Sequence, residues 1–473
     1  MTSFRDLLLY MTAFFSLPVL SVSDDFSVIK QSLSEDVMMV STKRGFSPQL
    51  VIAAEKGLTV FNTLWGEEIA SQYRSIVQQT FNRKDFIYVI NESGRLDMIG
   101  GNAVYPEAEV VAHEITYNEL KPAVQDPKPY LQKLIDLWHG KAEQAKIRLK
   151  NELPGSEQAA ADSSWQRYCD QIASGLSNHY NLRLPSIIFS DSLILDLGDK
   201  KLELYSFGEA SFAGGLLAYI PEEQLIFTGS LFSDPHLIPT PNSSRAHLDI
   251  SRWLYVLDKL LTDDVKIKYV ICGGSRIKTK QWLIERRNYI RELWQDVRIL
   301  NARGQDLPSI QDFLSLEKKF AYLKNWDIWE ISSPENVIKE HRRNVQLFWA
   351  QLQNFASDQI EKTIEEKGIH AAIRQYYELS RNPASKYYFD EPSFNALGYK
   401  LLSNNQYLEA ITVFKLNAET YPQSANVYDS LAEAYMKSGN TDLAIVYYRK
   451  SLQFNPENVN AQEMLNILEN IIR

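Results

Sequence analysis

Val89-Ile90-Asn91-Glu92-Ser93-Gly94-Arg95-Leu96-Asp97-Met98-Ile99-Gly100-Gly101-Asn102, followed by Val110-Val111-Ala112-His113-Glu114, is the stretch that decides the fold. The apolar run from Phe86 to Ile90 has the length and composition of a buried strand, and it ends in a polar loop. A Gly-Gly pair then opens a helix-like segment, and a second apolar run returns the chain to the sheet. Loops at the ends of sheet strands are where α/β proteins place their functional groups.

The stretch resembles the metal-binding loop of the metallo-β-lactamase fold superfamily, which reads Thr-His-x-His-x-Asp-His followed by Gly-Gly-Asn. The frame is kept, but the three His positions fall on Ser93, Arg95 and Met98, and only Asp97 is retained. Upstream, residues 51–63 resemble the family's paired first strands, with Asn62 where an Asp is usual. Downstream, residues 208–215 resemble the Gly-His-Thr-Pro-Gly segment, with Ser211 at the ligand His. Residues 225–231 resemble the strand ending in Gly-Asp-Leu, with Ser230 in place of the bridging Asp. Residues 269–275 resemble the strand ending in Pro-Gly-His-Gly, with Gly274 at the last His. Five segments in this order imply an α/β fold, the αββα sandwich of that superfamily.

A catalytic zinc site typically takes about three protein ligands from His, Cys or carboxylate and leaves one position for water. The bound ion lowers the pKa of that water to about 7 and so supplies hydroxide. One carboxylate with serine hydroxyls and a thioether is not such a set, so no cofactor is expected, zinc included. Mg²⁺ or Ca²⁺ prefers oxygen ligands, but Asp97 and Glu92 are the only carboxylates placed nearby. In place of a metal, the Arg95 guanidinium is expected to neutralise Asp97 and Glu92. The former metal positions Ser93, Arg95, Asp97, Met98, Ser211, Ser230 and Gly274 then line a polar pocket able to take a small ligand.

At 473 residues the chain is long enough for two or three domains, and 45% hydrophobic and 23% charged residues are ordinary globular values. A net charge of −9 with no sustained basic patch argues against nucleic acid as a partner. Residues 1–23 read as a signal peptide: Arg5, an apolar run from Leu7 to Leu20, then Ser21-Val22-Ser23. Export is therefore expected, with a buried N-terminal helix and a cytoplasmic chain as the alternative. The run of about 14 residues is short of the roughly 20 that span a bilayer, and no other segment is long enough. Cys169 and Cys272 make no disulfide framework and read as free buried thiols.

In chain order, a metallo-β-lactamase-like domain is expected over 24–300. Residues 65–80 carry a helical spacing. A helical insertion over about 120–182 contains helices at 129–149 and 165–179, with 155–164 either a polar Ala-rich linker or a helix start. Its Trp138, His139, Trp165 and Tyr168 are either ligand contacts or, as is commoner at this spacing, helix packing. Residues 186–205 read as two strands joined through Gly198-Asp199. A helical connector over 301–390, with Trp326, Trp329, Phe348 and Trp349 in its core, leads to a repeat over 391–473.

Residues 393–426 and 427–460 are two 34-residue units, aligned by Leu397 with Leu431, Ala410 with Ala444, Phe414 with Tyr448 and Pro422 with Pro456. They resemble the tetratricopeptide repeat, a helix-turn-helix of this period. Residues 461–472 read as a capping helix, and a degenerate third unit is expected from 368–379 and the helices before it.

Two functions follow. One is a catalytically silent member of the metallo-β-lactamase fold, a pseudoenzyme that binds or scaffolds, with repeats that hold a protein or peptide partner. The other is a hydrolase of that superfamily with a non-standard or metal-free site. It would use a Ser/His/Asp set from Ser93 or Ser230, His113 or His236, and Asp97. No Gly-x-Ser-x-Gly elbow supports it. His113 reads as a structural histidine of the sheet, and His236, on a loop, is expected to face solvent.

Overall fold

The computed structural model describes residues 28–42, 49–64, 66–150, 152–153, 155–178, 181–208, 215–233, 236–239, 248–273, 276–326, 332–382 and 385–472. The segment read as a signal peptide lies outside them, as do Ser211, Gly274 and Trp329. Two compact units divide the chain, one running up to Trp349 and the other starting at Ala350. The cut falls inside the stretch read as a connector.

The first unit is an αββα sandwich. One sheet has the order β1 (Val28–Ser32), β2 (Val37–Thr42), β3 (Gln49–Ala54), β4 (Gly57–Phe61), β5 (Phe86–Asn91), β6 (Glu109–His113) and β7 (Ile187–Phe189). Strands β1 to β4 are antiparallel, and β4 to β7 run parallel. The second sheet holds β8 (Ser192–Asp196), β9 (Lys201–Ser206), β10 (Leu216–Ile220), β11 (Leu225–Ser233), β12 (Tyr269–Gly273) and β13 (Arg276–Lys278), with only β11 and β12 parallel.

Side-chain alternation sorts the first sheet's residues between two cores. Val37, Met39, Leu50, Ile52, Phe61 and Ile90 meet Leu202, Leu204, Leu216, Ala218 and Phe227 of the second sheet. Met38, Val40, Val51, Leu58, Val60 and Val89 face outward onto Tyr73 and Val77 of the helix Glu67–Phe81. Because both faces are covered, β3 and β4 are buried along their whole length. The helices Ile250–Leu260 and Lys280–Ala302 bring Trp253 against Phe207 and Trp282 against Phe232.

Two readings change, and the helix start is the one of the two alternatives for 155–164 that holds. The run 186–205 is three strands, because Ile187–Phe189 pairs parallel with β6 in the first sheet before the chain crosses to β8. The stretch 155–164 is mostly helical: Glu157–Asn178 is one helix, packed on Pro127–Lys150. The Gly-Gly pair follows a short helix, Leu96–Ile99, and precedes a 3-10 turn, Asn102–Val104. A Cβ on Gly101 would lie 2.3 Å from both Ala70 Cβ and Thr63 O, so glycine here permits close packing on the helix Glu67–Phe81. Trp138, Trp165 and Tyr168 stack edge-on or tilted within the helical insertion. Cys169 and Cys272 are both buried and form no disulfide with each other, and burial pushes the Cys169 thiol up to about 12.

The second unit is all-helical apart from a two-residue parallel pair, β14 (Asn354–Phe355) with β15 (Tyr387–Tyr388). Helices Glu391–Ser403 with Tyr407–Thr420, and Ala425–Lys437 with Thr441–Phe454, form two antiparallel hairpins. An earlier pair, Ala356–Lys367 and Ile369–Arg381, and a last helix, Val459–Ile472, complete one continuous core. Ala410 and Ala444 are fully buried where helices cross, and Gly439 turns the chain at φ +83°.

Candidate functional site

The parallel strands β4 and β5 end at one edge of the sandwich, beside the irregular middle of β11 at Gly229 and Ser230. Asn62, just past β4, takes the left-handed conformation at φ +63° and donates its backbone N–H to Ile90 O at 2.9 Å. Its side-chain Oδ1 accepts from Glu92 N at 3.4 Å. Thr63 Oγ1 donates to Asn102 Oδ1 at 2.8 Å, and Asn102 Nδ2 donates to Arg183 O at 3.2 Å. The Gly-Gly-Asn frame is thus a set of structural pins beside the loop.

Glu92 is the central side chain. Ile90 points between the sheets, so two residues on Glu92 turns the same way, and its Oε1 accepts from Ser230 N at 3.2 Å across to the second sheet. Its Oε2 has no hydrogen-bond partner and sits where a Cβ on Gly229 would be, 1.4 Å from that position. Gly229 itself has φ +48°. Burial pushes the Glu92 carboxyl above the usual carboxylate range, while Ser230, the charge of Arg95 and the Asn62 side chain pull it back.

The other expected residues fall as follows. Ser93 is fully buried and its hydroxyl has no hydrogen-bond partner, and Met98 is buried. Arg95 is half-buried, and its charge acts on Glu92, one of the two carboxylates expected to face it. Asp97 lies in the helix Leu96–Ile99, and its side chain is outside the described set. Ser230 meets Glu92 from β11.

Neither histidine faces a nucleophile. His113 caps the helix Glu114–Gln125: Nδ1 accepts from Ile115 N at 3.1 Å and Nε2 lies 2.7 Å from Ser190 O. A carbonyl can only accept, so Nε2 carries the proton and both ring nitrogens are spent. Burial lowers its pKa. His236 is not solvent-facing: its side chain is 15% exposed and Nδ1 lies 3.2 Å from Glu340 Oε1, which also accepts from Leu237 N at 2.9 Å. The helix Pro334–Ala350 brings that carboxylate, a long-range partner that the loop sequence does not announce.

The described residues at the former metal positions do not make a zinc ligand set. Among the described residues, a buried hydroxyl, a guanidinium and a thioether stand at three ligand positions, and the Glu92 carboxyl accepts from a backbone N–H. Among the described residues, no group of three or more His, Cys, Asp or Glu side chains could hold a metal.

Similarity to known proteins follows the same lines. A type 2 metallo-β-lactamase from Bacteroides fragilis is 28% identical over 108 residues, 23% of this chain and 43% of that enzyme. The model of the tetratricopeptide repeat matches residues 425–458. Part of the chain is similar to a metallo-β-lactamase, and residues 425–458 to the tetratricopeptide repeat. The match spans under half the length of that curated relative. Among solved structures, the stereoselective inverting sec-alkylsulfatase of a Pseudomonas species is 14% identical, covering 91% of this chain and 66% of that one at a TM-score of 0.47. A metallo-β-lactamase from Pontibacter korlensis is 16% identical, covering 56% and 99% at a TM-score of 0.37. At those scores the αββα sandwich rests on the sheet order and the shared core described above.

Proposed function

We propose that this chain is a binding and scaffolding protein in which a metal-free metallo-β-lactamase-like unit is joined to repeats that hold a protein or peptide partner. The observation that carries the reading is Glu92, which turns inward between the sheets and accepts from Ser230 N of the second sheet. The substituted positions Ser93, Arg95, Met98 and Ser230, and the engagement of His113 and His236 elsewhere, support the absence of a hydrolytic set. The repeat match over 425–458 supports the partner-binding half. Among the described residues no helix is long and apolar enough to cross a membrane. Export through residues 1–23 belongs to the same proposal.

Elemental analysis of the purified, untagged chain tests it, with zinc, iron and manganese titrated back by calorimetry. Neither stoichiometric metal nor saturable binding is expected. Either one would return the hydrolase of the metallo-β-lactamase superfamily as the better reading.

A further inference from the structure

Glu92 and Gly229 fit one another in a way that neither an ordinary strand end nor an ordinary loop requires. Gly229 holds a left-handed φ of +48°, and the place its Cβ would fill is taken by Glu92 Oε2. The adjacent Ser230 N–H donates to the other carboxyl oxygen at 3.2 Å. Asn62, also left-handed, holds the backbone of Glu92 through its side-chain oxygen, and its side chain and the Arg95 charge both favour a carboxylate at this point. A backbone donor, a notch opened by a glycine, a polar amide and a cation are the parts of a carboxyl-recognition site. Oε2 has no partner of its own and is buried, so its placement comes from the notch and from Oε1, not from a second donor.

We propose that the irregular middle of β11, at Gly229 and Ser230, is a carboxyl-binding notch and that the chain fills it with its own Glu92, an internal ligand bridging the two sheets. The proposal rests on the reading of this site as one that holds no metal, and it adds the chemical class of what the site recognises: a small carboxylate. In the intact protein the notch is closed to outside ligands, because the tethered carboxyl is always at hand and pays no cost of association.

Glu92→Ala excises a fragment equivalent to acetate and so provides the test. In the full-length variant, acetate is expected to raise the melting temperature in a saturable manner, by about 2–4 °C or more, relative to chloride at equal ionic strength. Wild type and Glu92→Gln, whose notch stays filled, should not respond beyond that control. An equal response in all three proteins, or none in Glu92→Ala, overturns the proposal. Should Glu92→Ala fail to fold alone, recovery of folded chain in acetate but not in chloride supports the proposal, and failure to recover in both overturns it. Gly229→Ala gives an independent reading: it should be strongly destabilised with Glu92 present and partly relieved when combined with Glu92→Ala. No relief would mean that backbone strain alone requires glycine there. Stoichiometric zinc in the wild type would fail the metal-free reading, whereas an acetate-blind Glu92→Ala fails only the internal ligand.

Discussion

His341 shows how a single buried group ties stability to pH. Its ring is 2% exposed, with Nε2 2.6 Å from Leu314 O and Nδ1 2.8 Å from the Tyr289 hydroxyl. Asn344 Nδ2 donates to that hydroxyl at 3.3 Å, so Tyr289 donates its O–H to Nδ1, Nε2–H donates to Leu314 O, and the imidazole is neutral. Burial lowers the His341 pKa against the opposing pull of Leu314 O, Glu340 and Glu317. A histidine whose folded pKa lies below its unfolded value of about 6.5 contributes stability that is complete above that pH and is lost as pH falls through the folded value. Urea unfolding midpoints should therefore hold from pH 8 to 7 and decline below about 6.5. His341→Leu should lower the midpoint at pH 8 and flatten that decline, partially, because His113 is lowered in the same direction. An unchanged slope in His341→Leu would sink this assignment. At this scale the sequence was a partial guide to the site. It placed Ser93 and Arg95 on a loop at a strand end, put Ser230 near the end of a strand that in fact runs on to Ser233, and named Glu92 as a nearby carboxylate. The inward turn of Glu92 follows from counting two residues on from Ile90, but its meeting with Gly229 depends on pairing between distant strands, which local pattern does not encode.

At the scale of elements, the repeats are where spacing spoke most directly. The 34-residue register put Ala410 and Ala444 at helix crossings and Gly439 in a turn, positions where a small side chain or a left-handed φ is physically required. The same register pairs Gly398 and Phe414 with Ala432 and Tyr448, and the two crossings are packed differently. A Cβ on Gly398 would lie 2.5 Å from Phe414 Cε1 and 2.6 Å from its Cζ, in a ring that is fully buried. Gly398→Ala should consequently destabilise by about 1–3 kcal/mol through overpacking, despite the gain in helix propensity. Phe414→Leu in the same chain should recover part of that loss, and a double-mutant cycle by urea denaturation measures the coupling. Strict additivity of the two substitutions would refute the contact. The sandwich was legible through its alternating strands and helices, but β7 was not. Three residues are too few to carry a period, and the strand's partner, β6, lies beyond the whole helical insertion.

The whole molecule has two compact units with separate cores, one ending at Trp349 and the other starting at Ala350. Separate cores of this size each bury enough apolar surface to unfold as cooperative units. Two calorimetric transitions are expected in the full chain, and point substitutions can assign them. Lys200 serves for the sandwich. Its Nζ lies 2.6 Å from Asp199, 2.8 Å from Asp36 and 3.7 Å from Glu223, with the lysine side chain only 6% exposed. Burial opposes the charge there, and the carboxylates outweigh it and raise the pKa. Asp36 belongs to the β1–β2 turn and Lys200 to the β8–β9 turn, so the cluster ties the two sheets at the end away from Glu92. Lys200→Ala removes the cation that three carboxylates share. Two of these are about half exposed, so the cost is held to about 1–2 kcal/mol. Scanning calorimetry should show Lys200→Ala lowering one transition and leaving the other in place, with Gly398→Ala doing the reverse. If either substitution moves both transitions together, the chain unfolds as one cooperative body, and a partner held by the repeats would then stabilise the sandwich by mass action as well.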